Sequence, residues 1–519
     1  MMTIASRKIA CSLIFILVSL YVILLSGCNS NTSKQTKFSD EEIKELDEYL
    51  ESIQNNLPVP GIAVAIIKDN AVYYKTSGKA QSSIPFTDST VFFTGTISEL
   101  MVSTAIIKLA EAGKIDLDDP IVEHLPYFKL GDSTFHTITI RHLLTQTGGI
   151  PHHSAVWDLP YFESDALAGT TQSIRLQPGK FVAGTSILRS PYNYDILADL
   201  IQYISGSTFE EYTKKNVLLP LDLSHSTFYK PEIPEGELAK PFRVNDWLTY
   251  SMKEDSLYPY NREHAGSLGF HSSIKDMSNW LFMLLNEGKS SGNTLLKKEF
   301  NRELVKAQFR TDSTRYIGLA WEIEKTGNKM VFNKNHKMGG FSADVLMIPE
   351  DKMGVLVVSN TSEDFNLDII RQELLDWLNG KELRPFKMPV NIAMGKTLNE
   401  TDNLDSALHT YKRLQISQPD KFDFSAAALS QLGVNLLYRE NDSEKAIKVF
   451  QFCSEMFPGS SYAQLNLVEA YLLDKNFEQA QSALVKAKEL GIKSRELSKR
   501  ANFLEETIRS NTKKEKASS

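Results

Sequence analysis

The sequence predicts an α+β domain, an antiparallel sheet flanked by helices, followed by an all-α solenoid. Three observations carry this. Strand-like runs stand near both ends of the first 385 residues with helical patterns between them, an arrangement that suits one sheet covered by the intervening helices. From about Met388 the texture changes to helices rich in Ala, Leu and Lys. Within that stretch Leu437, Ala446, Phe450 and Cys453 recur thirty-four residues later as Tyr471, Ala480, Leu484 and Ala487, the mark of a stacked helical repeat.

The elements follow in order. Ser39 is placed to cap a helix running through Leu46, Tyr49, Leu50 and Ile53, which Pro58 and Pro60 end. Gly61 to Lys68 and Ala71 to Lys75 read as two strands around the turn Asp69-Asn70. A capped helix is expected from Thr96. Lys352 to Ser359 reads as a strand, and Leu367 to Leu378 as an amphipathic helix closing the domain. In the second part an earlier unit, Gly395, Ala407, Tyr411, Leu414 and Pro419, fits the same helical template. Ser494 to Ser510 reads as a capping helix, and 511–519 as a charged, disordered tail.

With 519 residues, 42% hydrophobic and 23% charged, the chain has material for two or three folded units. A net charge of −7 and a pI near 5.9 give no electrostatic basis for nucleic-acid binding. Arg7-Lys8 precede the apolar run Ile9 to Leu25, which closes on Leu25-Ser26-Gly27-Cys28. A basic start, a hydrophobic stretch and small residues before a cleavage point form an export signal. Its ending resembles the bacterial lipobox, which implies a signal peptide at 1–27, a lipid on Cys28 and a tether at 28–40. The implied location is the cell envelope, on a bacterial membrane, periplasmic or surface-exposed. An uncleaved spanning helix is the alternative. Cys11 falls in the signal and Cys28 at the anchor, so Cys453 alone remains and no internal disulfide can form.

Four stretches carry a family resemblance. They are Phe93-Thr94-Gly95-Thr96-Ile97-Ser98-Glu99, then Ile138 to Pro151 (Ile-Thr-Ile-Arg-His-Leu-Leu-Thr-Gln-Thr-Gly-Gly-Ile-Pro), then Ala265-Gly266-Ser267-Leu268, and Ser272 to Met277. Over residues 41–385 the chain resembles the class C β-lactamase and penicillin-binding-protein-like serine hydrolases, with Gln146 and Gly148 as departures. Residues 388–510 resemble tetratricopeptide repeats, which implies a protein partner. The hydrolase resemblance implies no cofactor, and a serine at the helix start with a lysine one turn later.

This chain has Thr96 and Glu99 at those two positions. Thr-x-x-Glu is also a capping box, in which Thr96 would bond the Glu99 N–H and Glu99 would return a bond to Thr96. The family's Tyr-x-Asn motif maps to Arg189 and Pro191, while a shifted loop would bring Tyr192 into the pocket. Its third motif maps to Lys334-Asn335-His336, or to His336 alone after a two-residue shortening. The basic group there either holds a carboxylate or is a solvated strand end. Ser272-Ser273-Ile274-Lys275 is formally Ser-x-x-Lys, but Ser273 and Asp276 read as a capping box. The adjacent pair His152-His153 makes no metal site.

The function expected is therefore a β-lactamase-related domain with degenerate catalytic motifs. It would take a peptide or cell-wall-derived ligand through Arg189, Tyr192, Lys334 and His336. The alternative is a working esterase, peptidase or β-lactamase-like hydrolase using Thr96.

Overall fold

Helix α1 (Asp40–Asn56) starts where Ser39 predicts. The Ser39 hydroxyl accepts from the Glu42 N–H, and the Glu42 carboxylate accepts from the Ser39 N–H. Strands β1 (Gly61–Lys68) and β2 (Ala71–Gln81) turn at Asp69 and Asn70, whose φ values of 49° and 71° are those of a tight hairpin turn. β2 runs on past the expected end at Lys75 and pairs with β3 (Ile84–Pro85).

Further elements of the first domain include α2 (Ser98–Glu111), α3 (Pro191–Ser205), the hairpin β4 (Phe242–Asp246) and β5 (Ser251–Glu254), and α4 (Ile274–Leu285). After them come β6 (Phe309–Arg310), β7 (Arg315–Ile317), β8 (Glu322–Thr326), β9 (Lys329–Met338), β10 (Phe341–Ile348), β11 (Met353–Ser359) and α5 (Leu367–Leu378). The computed structural model describes residues 38–151, 161–290, 292–363, 367–492 and 494–518. The signal, Cys28 and His152-His153 lie outside them.

Nine strands form one sheet in the order β6-β7-β8-β9-β10-β11-β1-β2-β3, antiparallel throughout. β1 lies inside the sheet and pairs with β11 from the far end of the domain, Ile62 opposite Ser359 and Ile67 opposite Gly354. One face of β1 (Ile62, Val64, Ile66) packs with Leu46, Leu50 and Ile53 of α1 and Leu374 of α5. The other face (Ala63, Ala65, Ile67) joins the larger core with Ile106 of α2 and Leu281 of α4. A strand covered on both faces needs an unbroken apolar run, which is what Gly61 to Ile67 supplies.

Seven helices follow: α6 (Val390–Thr401), α7 (Leu404–Ser417), α8 (Ala426–Tyr438), α9 (Ser443–Met456), α10 (Ser461–Leu473), α11 (Phe477–Glu489) and α12 (Arg495–Ser518). The recurring residues Ala446, Phe450, Cys453, Ala480, Leu484 and Ala487 lie together in their shared core. Helix α12 continues through Ser518, so the tail expected to be disordered beyond residue 510 has helical backbone instead. Lys, Glu and Ala, which dominate there, are strong helix formers.

The β4–β5 tip fastens the two parts. Asn435 of α8 donates from Nδ2 to the Trp247 carbonyl and to the Tyr250 hydroxyl, both at 2.8 Å, and Asn391 of α6 donates to the same hydroxyl at 3.0 Å. The Arg439 guanidinium lies 4.1 Å from the Trp247 ring centre. Tyr250→Phe strips an acceptor from two buried amides and is expected to cost about 1–3 kcal/mol. Urea unfolding reads this as a lowered midpoint; an unchanged midpoint would remove the hairpin as a fastening.

Candidate functional site

Thr96 lies in a 3₁₀ turn, Gly95–Ile97, that runs directly into α2. Ser98 ties this turn down: its hydroxyl donates to the Gly95 carbonyl at 2.6 Å and accepts from the Phe270 N–H at 2.8 Å. Gly95 has φ +55°, and a Cβ there would stand 2.2 Å from the His336 ring. Only glycine lets that ring lie over the turn.

The expected capping box does not form. The Thr96 hydroxyl donates to the backbone carbonyl of Asn335 on β9, 2.7 Å away. The Glu99 carboxylate meets the Lys334 ammonium at 2.5 Å and makes a long contact, 3.5 Å, with the Gln146 amide. Helical backbone already begins at Gly95, so Thr96 sits inside the first turn and not before it. Glu99 is only 5% exposed, where an unpaired carboxylate would be costly, and Lys334 supplies the counter-charge. Burial pushes the Glu99 pKa above the usual carboxylate range, while Lys334 and Gln146 restrain the shift.

β9 pairs with β10 without interruption from Phe332 opposite Met347 to Met338 opposite Phe341. Lys334 and His336, two residues apart on one strand face, therefore both reach the Thr96 turn. Lys334 is no solvated strand end. The His336 Nδ1 accepts from the Thr96 N–H at 3.3 Å, and Nε2 lies 3.1 Å from the Met338 carbonyl. These partners require a neutral ring protonated on Nε2. Burial lowers the His336 pKa to about 4, and the nearby Lys334 charge pushes the same way.

Arg189, in the segment before α3, pairs with Glu322 at the start of β8. Pro191 occupies the first turn of α3, where its missing N–H costs nothing. Tyr192 is a correction. It is buried, its ring stands edge-on to His264 at 6.0 Å, and it does not line the cavity. Because α3 has started at Pro191, the helical rotation carries Tyr192 away from the cleft.

Gln146, a departure from the family pattern with no role assigned in the sequence reading, bridges the two sides. Its carbonyl oxygen accepts from the Ser190 N–H at 3.0 Å and from the Asn193 side-chain amide, while its NH₂ faces Glu99. Glu322 was missed altogether, since no spacing connects it with Arg189. The Ser272-Ser273-Ile274-Lys275 stretch behaves largely as expected. Ser273 accepts from the Asp276 N–H and caps α4, but the Asp276 carboxylate takes His225 N–H and Ser226 Oγ instead of closing a box.

Thr96, Glu99, Gln146, Arg189, Lys334 and His336 thus surround one cavity of about 320 Å³, walled by Ile187, Ile317, Trp321 and Met338. Among the described residues no group of three or more His, Cys, Asp or Glu could hold a metal, and no helix is long and apolar enough to cross a membrane.

The antiparallel sheet, with α2 opening onto a cleft bordered by β9, sets this site in a known frame. The model of the Beta-lactamase family matches residues 46–376. The chain belongs to that family. Protein flp of Staphylococcus aureus strain N315 is 23% identical over 337 residues, covering 64% of this chain and 65% of flp. The match thus spans a little less than two thirds of that relative's length. The putative penicillin-binding protein PbpX of Bacillus subtilis strain 168 is 31% identical over 205 residues, 38% of this chain and 49% of PbpX. The octameric penicillin-binding protein homologue from Pyrococcus abyssi shares the fold, with a TM-score of 0.57 at 24% identity over 70% of this chain and 82% of that one.

Proposed function

We propose that the β-lactamase-family domain is a binding module in which acyl transfer no longer runs. A lipid on Cys28 holds it at a bacterial cell envelope, and its tetratricopeptide-like helices dock a protein partner. The observation that carries this reading is the engagement of both polar groups of Thr96. Acyl transfer needs a base that takes the nucleophile's proton and N–H donors aimed at the developing oxyanion. Here the Thr96 hydroxyl is bonded to a backbone carbonyl, which cannot take its proton. The Thr96 N–H, the nearest oxyanion donor, is occupied by the His336 ring. Lys334, the cation beside the turn, is committed to Glu99.

Loss of one member of such a set typically costs several orders of magnitude in rate. The cavity itself persists, lined in part by Arg189, and the name of PbpX, a putative penicillin-binding protein, makes a penicillin the first ligand to try. For the second part, support comes from the thirty-four-residue recurrence and from the complete burial of Ala446 and Ala480 at matching places.

Incubation of the full chain with a fluorescent penicillin and a fluorophosphonate probe is expected to give no covalent label. Label that disappears in Thr96→Ala would instead establish a threonine hydrolase and reject the proposal.

A further inference from the structure

The 320 Å³ cavity adjoins a larger groove of about 810 Å³ lined by residues of β7 to β9, and the Arg189–Glu322 ion pair lines both. The two side chains are 62% and 43% exposed, so opening this pair costs little desolvation. Deeper in the cavity the charge is already balanced, because Glu99 and Lys334 are buried against each other. Lys337 also borders the cavity and has a partner of its own. Apolar lining comes from Ile187, Ile317, Trp321 and Met338.

We propose that this cavity takes a free α-amino acid with an apolar side chain, its carboxylate on Arg189 and its ammonium on Glu322. This rests on the reading of the cleft as a binding site. The charge pattern selects the class. A ligand carrying only a carboxylate would reach Arg189 but lie beside the carboxylate of Glu322, and one carrying only an ammonium would meet Arg189. Like charges at such distances oppose binding, so each single-charge ligand is penalised by the partner it does not use. A zwitterion replaces both halves of the pair at once. Its side chain then meets apolar walls in a cavity at the lower end of the roughly 300–1,000 Å³ range of small-molecule sites.

Isothermal titration of the full chain with leucine, methionine and phenylalanine, each as both enantiomers, tests this against N-acetyl-leucine, leucine amide and glycine. Free apolar amino acids are expected to bind, and the two blocked leucines at least about tenfold more weakly. Glu322→Gln should remove the preference for leucine over N-acetyl-leucine, and Arg189→Gln the preference over leucine amide. Both positions are substantially exposed, so the variants are expected to keep the wild-type unfolding midpoint. No heat from any amino acid at millimolar concentration, equal binding of N-acetyl-leucine, or unchanged selectivity in both variants would overturn the assignment. The covalent probes fail independently: labelled Thr96 with bound leucine rejects only the silent-cleft reading, and no label with no heat rejects only the amino acid.

Discussion

Lys334→Met is expected to destabilise the protein by about 3–5 kcal/mol at pH 7, because it leaves Glu99 buried without its counter-charge. Glu99→Gln alone should also destabilise, by stranding the ammonium. The double variant Glu99→Gln/Lys334→Met should recover most of the loss, since replacing both members of a buried pair with neutral groups is often nearly neutral. Urea midpoints of the four proteins decide it, and a Lys334→Met midpoint equal to wild type would mean that the pair balances no buried charge. The pH dependence has a definite sign. Burial already raises the Glu99 pKa, so the folded state holds that proton more readily than the unfolded chain. Losing Lys334 enlarges this, and the cost should shrink as pH falls toward the ordinary carboxylate range, where a protonated Glu99 is no longer a buried charge.

This pair also separates what the sequence makes legible from what it hides. Signals confined to a few neighbouring residues are reliable here. Ser39 and Glu42 cap α1 as predicted, Asp69-Asn70 makes its turn, and α5 occupies Leu367–Leu378 as its apolar periodicity requires. Thr-x-x-Glu is just as local a signal and misleads, because Glu99 is claimed by a cation 235 residues away and Thr96 by a strand carbonyl 239 residues away. A capping box contributes about 1 kcal/mol, whereas an unpaired buried carboxylate costs several, so the distant partner wins. The strands β6, β7 and β8 are two, three and five residues long, too short for alternation to announce them. Glu322 stands on one of them, which is why its pairing with Arg189 could not be foreseen.

His336→Gln is expected to remove about 3 kcal/mol of acid sensitivity from the folded state. The ring titrates near pH 4 in the fold, against an ordinary value of 6.5. Between those values the unfolded chain binds the proton and the folded one does not, so stability falls as pH drops from 6.5 to about 4 and the loss is complete below that. Glutamine keeps an acceptor for the Thr96 N–H and a donor for the Met338 carbonyl but carries no titrating group. The whole acid profile is not diagnostic, because other groups share the window. His271, lowered to about 3 by burial, acts in the same direction. Asp344, pushed up to about 6 by burial beside Arg371, acts in the opposite one, its proton uptake favouring the folded state as pH falls. Subtracting the variant's curve from the wild type's cancels both. The difference should be level above about pH 6.5, decline to pH 4 and level off again. A flat difference would mean that His336 protonates freely in the fold. The imidazolium has no lone pair for the Thr96 N–H, so that donor would then be open to an oxyanion in mild acid, and acyl chemistry at the turn would have to be sought there.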